Sequence, residues 1–316
     1  MVENVIAMMR VLKVIATAAS FVMLSSATPA AIRVAQSVQA SLHVNGEVRN
    51  YRIFEPPGRF SHPRPAFILF HGGSRSAVEQ EHYSGFNDFA AAHGIVAIYP
   101  EGIGGYWNDG RVAGAQSKAD DIAFVRALIL SLGAKGIVDR SSVYITGLSN
   151  GGIMALHVAC TIPAIIAGIG VVAAAQPADA ACPSPRPLPV IIFHGTADIF
   201  VPFEGGKIGG PFANHGIALS DAATSMFWQK ENGCGKAHRA QIPSNADGNT
   251  RVIVETYACP PNHGLKNVIV EGGGHTWPGA RQSMSRGQLL GPVTHAIDAN
   301  AMMWEFFRAQ GAPRAR

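Results

Sequence analysis

The sequence predicts an α/β fold, a mostly parallel sheet with helices on both faces in three layers. Three observations predict it. Short apolar runs alternate along the chain with segments of helical periodicity. Runs such as Ala66-Phe67-Ile68-Leu69-Phe70 and Pro189-Val190-Ile191-Ile192-Phe193 lack the polar alternation of a half-exposed strand, so both faces should be covered. Several of these runs end at glycine-bearing turns. With 316 residues, 47% of them hydrophobic and only 15% charged, the chain can bury a large core and is no disordered polyelectrolyte.

Taken in order, residues 41–44 and 48–54 read as a hairpin turned at Asn45-Gly46. Residues 66–70 form a buried strand, broken by Gly72-Gly73-Ser74. The pattern predicts a helix over 79–92 and a strand over 95–99 that stops at Pro100. A Gly-rich loop over 102–116 carries Trp107 and Asn108, and a helix over 118–132 places Ile122, Val125 and Ile129 on one side. Residues 142–146 are a strand leading directly into Gly147, with a helix over 152–161 behind it. Strands follow at 167–173 and 189–193, then a Gly-rich excursion at 204–219 and a helix at 221–231. Strands at 251–257 and 266–270 and a helix at 293–307 close a catalytic domain over residues 40–311.

Residues 1–31 read as an export signal. Arg10 and Lys13 are basic, residues 14–27 carry no charge, and small residues follow at 25–30. The uncharged stretch is too short to cross a bilayer as a helix. The expected location is therefore secreted or periplasmic, with no stable membrane anchor. The four cysteines, Cys160, Cys182, Cys234 and Cys259, form no CxxC pair, and an even count in an exported chain reads as two disulfides. Three connectivities are open; nearest-neighbour pairing, Cys160–Cys182 and Cys234–Cys259, is the expectation. The 25 Lys+Arg against 21 Asp+Glu give a net charge of +4, with no dense basic stripe, so no nucleic-acid partner is expected.

Chemistry concentrates in Gly147-Leu148-Ser149-Asn150-Gly151, a G-x-S-x-G run. A serine in a Gly-rich turn can be a simple helix cap. Here, however, a strand precedes it and a helix follows, the context in which the serine hydroxyl is lifted above a sheet. A hydroxyl becomes a good nucleophile only when a base takes its proton. His275, in the loop Glu271-Gly272-Gly273-Gly274-His275 beyond the strand at 266–270, is the candidate base. Asp198, after the strand that ends at Phe193-His194-Gly195, is the candidate acid that orients it. The order serine, acid, histidine is that of α/β-hydrolases. Asp179 and Asp221 are weaker rivals because neither follows a strand end, while Asp120 and Asp121 read as helix caps. The other histidines fit less well: His215 lies in a surface-like context, His71 reads as a structural residue and His194 as a core histidine. Backbone N–H groups of Gly73 and Asn150 are the expected oxyanion donors. Trp107, Asn108 and Trp277 are candidate substrate-binding groups. No HExxH, P-loop or GxGxxG run occurs, so neither metal nor cofactor is expected.

His71-Gly72-Gly73, Tyr99-Pro100-Glu101-Gly102, Trp107-Asn108-Asp109, Gly147 to Gly152, Phe193 to Asp198 with Val201-Pro202, and Gly272-Gly273-Gly274-His275-Thr276-Trp277-Pro278-Gly279 occur together and in order. Over about residues 40–310 the chain resembles the secreted polyhydroxybutyrate depolymerases and the feruloyl or acetylxylan esterases. The resemblance implies an α/β-hydrolase fold, a Ser149–Asp198–His275 triad and two disulfides. It further implies a serine carboxylic-ester hydrolase working through an acyl-enzyme, on polyhydroxybutyrate-type oligomers or on feruloyl or acetyl polysaccharide esters. The 204–219 segment reads as a longer or altered rim. A triad does not choose its acceptor. A serine peptidase or acyltransferase on the same fold is therefore a competing reading, as is an inactive binding protein.

Overall fold

The computed structural model describes residues 36–58, 61, 63–183, 185–211, 213–243, 250–280 and 287–311; the expected export signal at 1–31 lies outside them. Twelve strands are described, of which ten form one sheet. In chain order these ten are β1 Val38–Val44, β2 Glu47–Phe54, β3 Arg64–Phe70, β4 Val96–Pro100, β5 Val138–Leu148, β6 Gly168–Val172, β7 Val190–Gly195, β10 Ala237–Ile242, β11 Arg251–Tyr257 and β12 Leu265–Glu271. Between β7 and β10, β8 Gly206–Lys207 and β9 Ile217–Ala218 pair with each other. The large sheet runs β1-β2-β4-β3-β5-β6-β7-β12-β11-β10. From β4 to β12 its six central strands are parallel, and both edges are antiparallel hairpins.

Parallel neighbours need crossovers, and helices supply them. The helices are α1 Ala77–Ser84, α2 Phe86–His93, α3 Asp121–Ala134, α4 Asn150–Thr161, α5 Asp221–Glu231, α6 Gly287–Leu290 and α7 Ala299–Gln310. On one face α3, α4 and α5 bury Phe124, Ile153 and Trp228 against the sheet. On the other face α1, α2 and α7 bury Tyr83, Phe86 and Phe307, and Phe67 of the sheet meets Phe86 and Phe307. The central strands, apolar throughout, are therefore covered on both sides, the three-layer arrangement expected.

Three elements depart from expectation. The helix expected over 79–92 is two helices, because Gly85 between them adopts φ +58°, a left-handed conformation that ends a helix. The closing helix begins at Ala299, not at 293: Asp298 caps it by accepting from the Ala301 N–H. Strand β10 has no apolar alternation to announce it; Ala237, His238, Arg239, Ala240 and Gln241 are all exposed on the sheet's outer edge.

Cys160–Cys182 and Cys234–Cys259 are both disulfide-bonded, in the expected pairing. With sequence separations of 22 and 25, each constrains the unfolded chain by about 3 kcal/mol in the loop-entropy model. No helix among the described residues is long and apolar enough to cross a membrane.

Candidate active site

The parallel strands bring four chain segments to one edge of the sheet, the carboxyl ends of β3, β5, β7 and β12, where open α/β sheets bind ligands. Ser149 stands between β5 and α4 at φ 58°, ψ −121°. A non-glycine residue there costs on the order of 1–3 kcal/mol, and the surrounding packing must enforce it. The Ser149 N–H donates to the Val172 carbonyl at 2.9 Å, and its carbonyl accepts from the Ile153 N–H at 2.9 Å. The turn closes only because position 147 lacks a side chain: a Cβ on Gly147 would sit 2.5 Å from the Gly151 backbone.

The loop after β7 holds Asp198, and the loop after β12 holds His275. The two loops are stitched together. Thr196 N–H donates to the Val270 carbonyl at 3.0 Å and Ala197 N–H to the Gly273 carbonyl at 2.8 Å. His275 N–H donates to the Leu290 carbonyl at 2.6 Å, which fixes the loop from its other side. The result is a hydrogen bond of 2.7 Å from His275 Nδ1 to Asp198 Oδ2, with Asp198 buried. The remaining oxygen, Asp198 Oδ1, accepts from the Phe200 and Val201 N–H groups at 2.8 and 2.9 Å. Burial alone would raise the Asp198 pKa, but the partners His275 and His194 outweigh it and hold the carboxyl far below the usual range.

Ser149 and His275 line one cavity of about 480 Å³, with Gly73 and Asn150 in the same wall. No hydrogen bond joins the Ser149 and His275 side chains among the described residues. The loop after β3 lies against the turn at Ser149: a Cβ on Gly72 would be 3.6 Å from Ser149 Cβ, and one on Gly73 would be 3.7 Å from Asn150 Cβ and 3.0 Å from the Tyr106 ring. His71 anchors that loop. Its Nε2 accepts from the Gly102 N–H at 2.9 Å, so the proton is on Nδ1, which donates to the Gly72 carbonyl at 2.8 Å. Burial pushes the His71 pKa down to about 4, which keeps the ring neutral.

Trp107 and Trp277 are corrections to expectation. Both are fully buried outside the cavity. Trp107 Nε1 donates to the His71 carbonyl at 2.9 Å, and Trp277 Nε1 donates to Asn300 Oδ1 at 3.1 Å. Each stiffens a loop of the site from behind. Asn108 is likewise absent from the lining; its side chain donates to the Ala119 carbonyl at 2.9 Å. Asp121, read as a cap, is instead buried and paired with Arg49 at 2.5 Å, whereas Asp120 does cap α3.

Beyond Gly73, Ser149, Asn150 and His275, the cavity wall is made mostly of residues the sequence did not single out. Leu148, Ile153, Phe200, Ile208, Leu289 and Leu290 give it an apolar lining, and Tyr106, Arg111 and His215 add polar groups. His215 therefore belongs to the wall, contrary to its surface-like sequence context. Arg111 holds this roof to the floor. It donates to both oxygens of Asp109 at 2.9 and 2.7 Å and to the His215 carbonyl at 2.6 Å. Asp109 Oδ2 also accepts from Asn150 Nδ2 at 2.6 Å. No sequence signal joins Arg111 to a carbonyl on the far side of the 204–219 excursion. Among the described residues no group of His, Cys, Asp and Glu side chains could hold a metal ion.

The expected core histidine, His194, is indeed buried, and it lies between two carboxylates: Nε2 is 3.6 Å from Asp198 Oδ2 and Nδ1 is 3.4 Å from Asp221 Oδ1. Burial alone would lower its pKa, yet Asp198 and Asp221 raise it to about 10. The two shifts set a pH window for stability. A depressed carboxyl such as Asp198 stabilises the fold fully above about pH 4 and progressively less as pH falls through its folded pKa. A raised imidazole such as His194 stabilises it fully below about pH 6.5 and progressively less as pH rises through about 10. Urea unfolding across pH is expected to place the combined maximum of these terms between about pH 4 and pH 6.5. A maximum above pH 9 would contradict the His194 assignment, and one below about pH 3 would contradict that of Asp198.

A strained serine after the fifth strand, facing an acid-bound histidine across one cleft of a sheet ordered 1-2-4-3-5-6-7, defines an α/β-hydrolase. The chain belongs to the esterase family of that superfamily. It is 35% identical over 251 residues to NocK of Nocardia uniformis subsp. tsuyamanensis, a protein named as an esterase, across 75% of this chain and 72% of that one. Feruloyl esterase B of Piromyces equi is 29% identical over 220 residues, which are 67% of this chain and 39% of that protein. Residues 113–217 match the Phospholipase/Carboxylesterase family. Among solved structures, an acetyl xylan esterase from Aspergillus awamori shares the fold with a TM-score of 0.57 at 16% identity, covering 86% of this chain and 99% of that one.

Proposed function

We propose that the protein is an exported serine carboxylic-ester hydrolase that works through an acyl-enzyme, with Ser149 as nucleophile, His275 as base and Asp198 as the acid that orients it. The observation that carries this reading is the 2.7 Å bond from His275 Nδ1 to Asp198, which leaves Nε2 as the basic nitrogen on the cavity that Ser149 also lines. As an ester enters, Ser149 Oγ attacks the carbonyl carbon while its proton passes to His275 Nε2. The carbonyl oxygen becomes an oxyanion, held by the Gly73 and Asn150 N–H groups; each such donor contributes about 3 kcal/mol to the transition state. Collapse of the tetrahedral intermediate breaks the ester bond, and the leaving alcohol takes the proton from His275. Water, deprotonated by the same nitrogen, then releases the acid and restores Ser149. The hydrogen bond from Ser149 to His275 forms when substrate is bound, since catalytic hydrogen bonds are commonly made only in the substrate complex.

The apolar wall suits an aryl or short hydroxyalkanoyl acyl group, in line with feruloyl or acetyl polysaccharide esters and polyhydroxybutyrate-type oligomers as substrates. Export to an oxidising compartment, secreted or periplasmic, is supported by the two disulfides. The test has two arms. A fluorophosphonate probe should label the protein at Ser149, and labelling elsewhere or none would remove the nucleophile assignment. Methyl ferulate, acetylated xylan and hydroxybutyrate oligomers, assayed side by side, should yield hydrolysis of at least one. Faster cleavage of peptide amides than of any ester would favour the peptidase reading.

A further inference from the structure

His194 takes no part in the proton transfers just described, yet its surroundings are unusual. It is the last residue but one of β7, its ring is fully buried, and both ring nitrogens face acceptors. Nε2 lies 2.9 Å from the Val201 carbonyl and 3.6 Å from Asp198 Oδ2. Nδ1 lies 3.4 Å from Asp221 Oδ1, within ion-pair distance although outside hydrogen-bond geometry. A neutral imidazole carries one N–H and would turn its remaining lone pair against one of these oxygens; only the doubly protonated ring offers a proton to both sides. The Phe203 ring meets the imidazole edge-on at 5.4 Å and supplies no donor.

Asp221, the first residue of α5, is fixed independently. Its Oδ2 accepts from Asn267 Nδ2 of β12 at 2.6 Å, and its own N–H donates to the Phe203 carbonyl at 2.8 Å. The Tyr257 phenol of β11, near enough to be influenced by the Asp221 charge, is neutral, its pKa pushed up to about 12 by burial and by the charges of Glu255 and Asp221. The titratable and charged groups around the ring are therefore Asp198 from the β7 loop, Asp221 from α5 and, behind Asp221, Tyr257 and Glu255 from β11. On the cavity side Asp198 meets His275.

We propose that His194 is a standing imidazolium paired with Asp221, and that this pair cancels itself electrostatically so that the whole charge of Asp198 is left to stabilise protonated His275. The inference rests on the roles proposed above for Asp198 and His275. In it His194 and Asp221 are positioning residues that touch no substrate. An imidazolium beside Asp198 without a counter-charge would oppose proton uptake by His275; Asp221 removes that opposition. The sharp loop after β7 is also held in place, because the same ring bridges Val201 and α5.

The test is a pH profile. Asp221→Asn leaves the imidazolium uncompensated, so the acid limb of kcat/KM should move down by about one pH unit, the size expected for one unit charge at an effective dielectric of about 20. The limb is expected to return toward its original position in the double variant His194→Gln/Asp221→Asn, in which both charges are gone. A general loosening of the site would lower the rate at every pH without moving the limb. An unmoved limb in Asp221→Asn, or one moved upward, overturns the proposal. Should that variant fail to fold, nitrogen-15 NMR of the wild-type protein still decides. Both His194 ring nitrogens should carry protons from pH 5 to pH 8, and a single unprotonated ring nitrogen overturns the proposal. Ester turnover insensitive to Ser149→Ala would instead sink the underlying catalytic reading, leaving the NMR result standing on its own.

Discussion

Replacing Ser149 with alanine is expected to lower kcat for p-nitrophenyl butyrate by about 10⁶-fold, the scale seen when the nucleophile of a serine triad is deleted. The reason is local. Ser74 also lines the cavity, at φ 57°, but its hydroxyl is bonded to the Tyr106 phenol; Ser149, at φ 58°, shares the cavity with His275, Gly73 and Asn150, the base and oxyanion donors proposed above. Alanine keeps the turn, whose closure depends on glycine at position 147, so the fold should survive and binding of substrate should change little. Activity and circular-dichroism melting on the same preparation separate the two outcomes. Residual activity above one part in a hundred would remove Ser149 from the chemistry.

Asp198→Asn should be nearly as severe, lowering kcat by about 10⁴-fold with little change in KM. Here the direction of the amide is dictated by its neighbours. The Phe200 and Val201 N–H groups demand an acceptor at Oδ1, so the asparagine carbonyl must face them and its NH₂ must face His275. His275 Nδ1 would then have to accept, which moves its proton to Nε2 and leaves no base toward Ser149. A variant within tenfold of wild-type kcat would show that the 2.7 Å bond seen here is not what orients the imidazole.

The strained turn at Ser149 was legible in the sequence because its geometry is written locally: a strand, a glycine where no Cβ fits, and a helix. Asp198 and His275 were legible for a related reason, each following a buried strand by only a few residues. Trp107 and Trp277 show where such reading stops. Both sit in glycine-rich loops next to site residues, and nothing local tells an indole facing the cavity from one facing the core. The deciding partners are the carbonyl of His71 and the side chain of Asn300. His194 was read correctly as buried, but its meaning depends on Asp221, brought to it by a helix that packs on the same face of the sheet. Strand β10 was invisible because an exposed edge strand needs no hydrophobic alternation. The break at Gly85 was hidden by helical periodicity that continues on both sides of it.

The clamp from Arg111 to the 206–218 segment grips a main-chain carbonyl, not an imidazole. Whatever side chain stands at 215 can therefore change while the lintel over the cleft stays pinned to the Asp109–Asn150 floor. Drift at this one lining position would change the chemistry of the cavity wall without loosening the doorway that frames it.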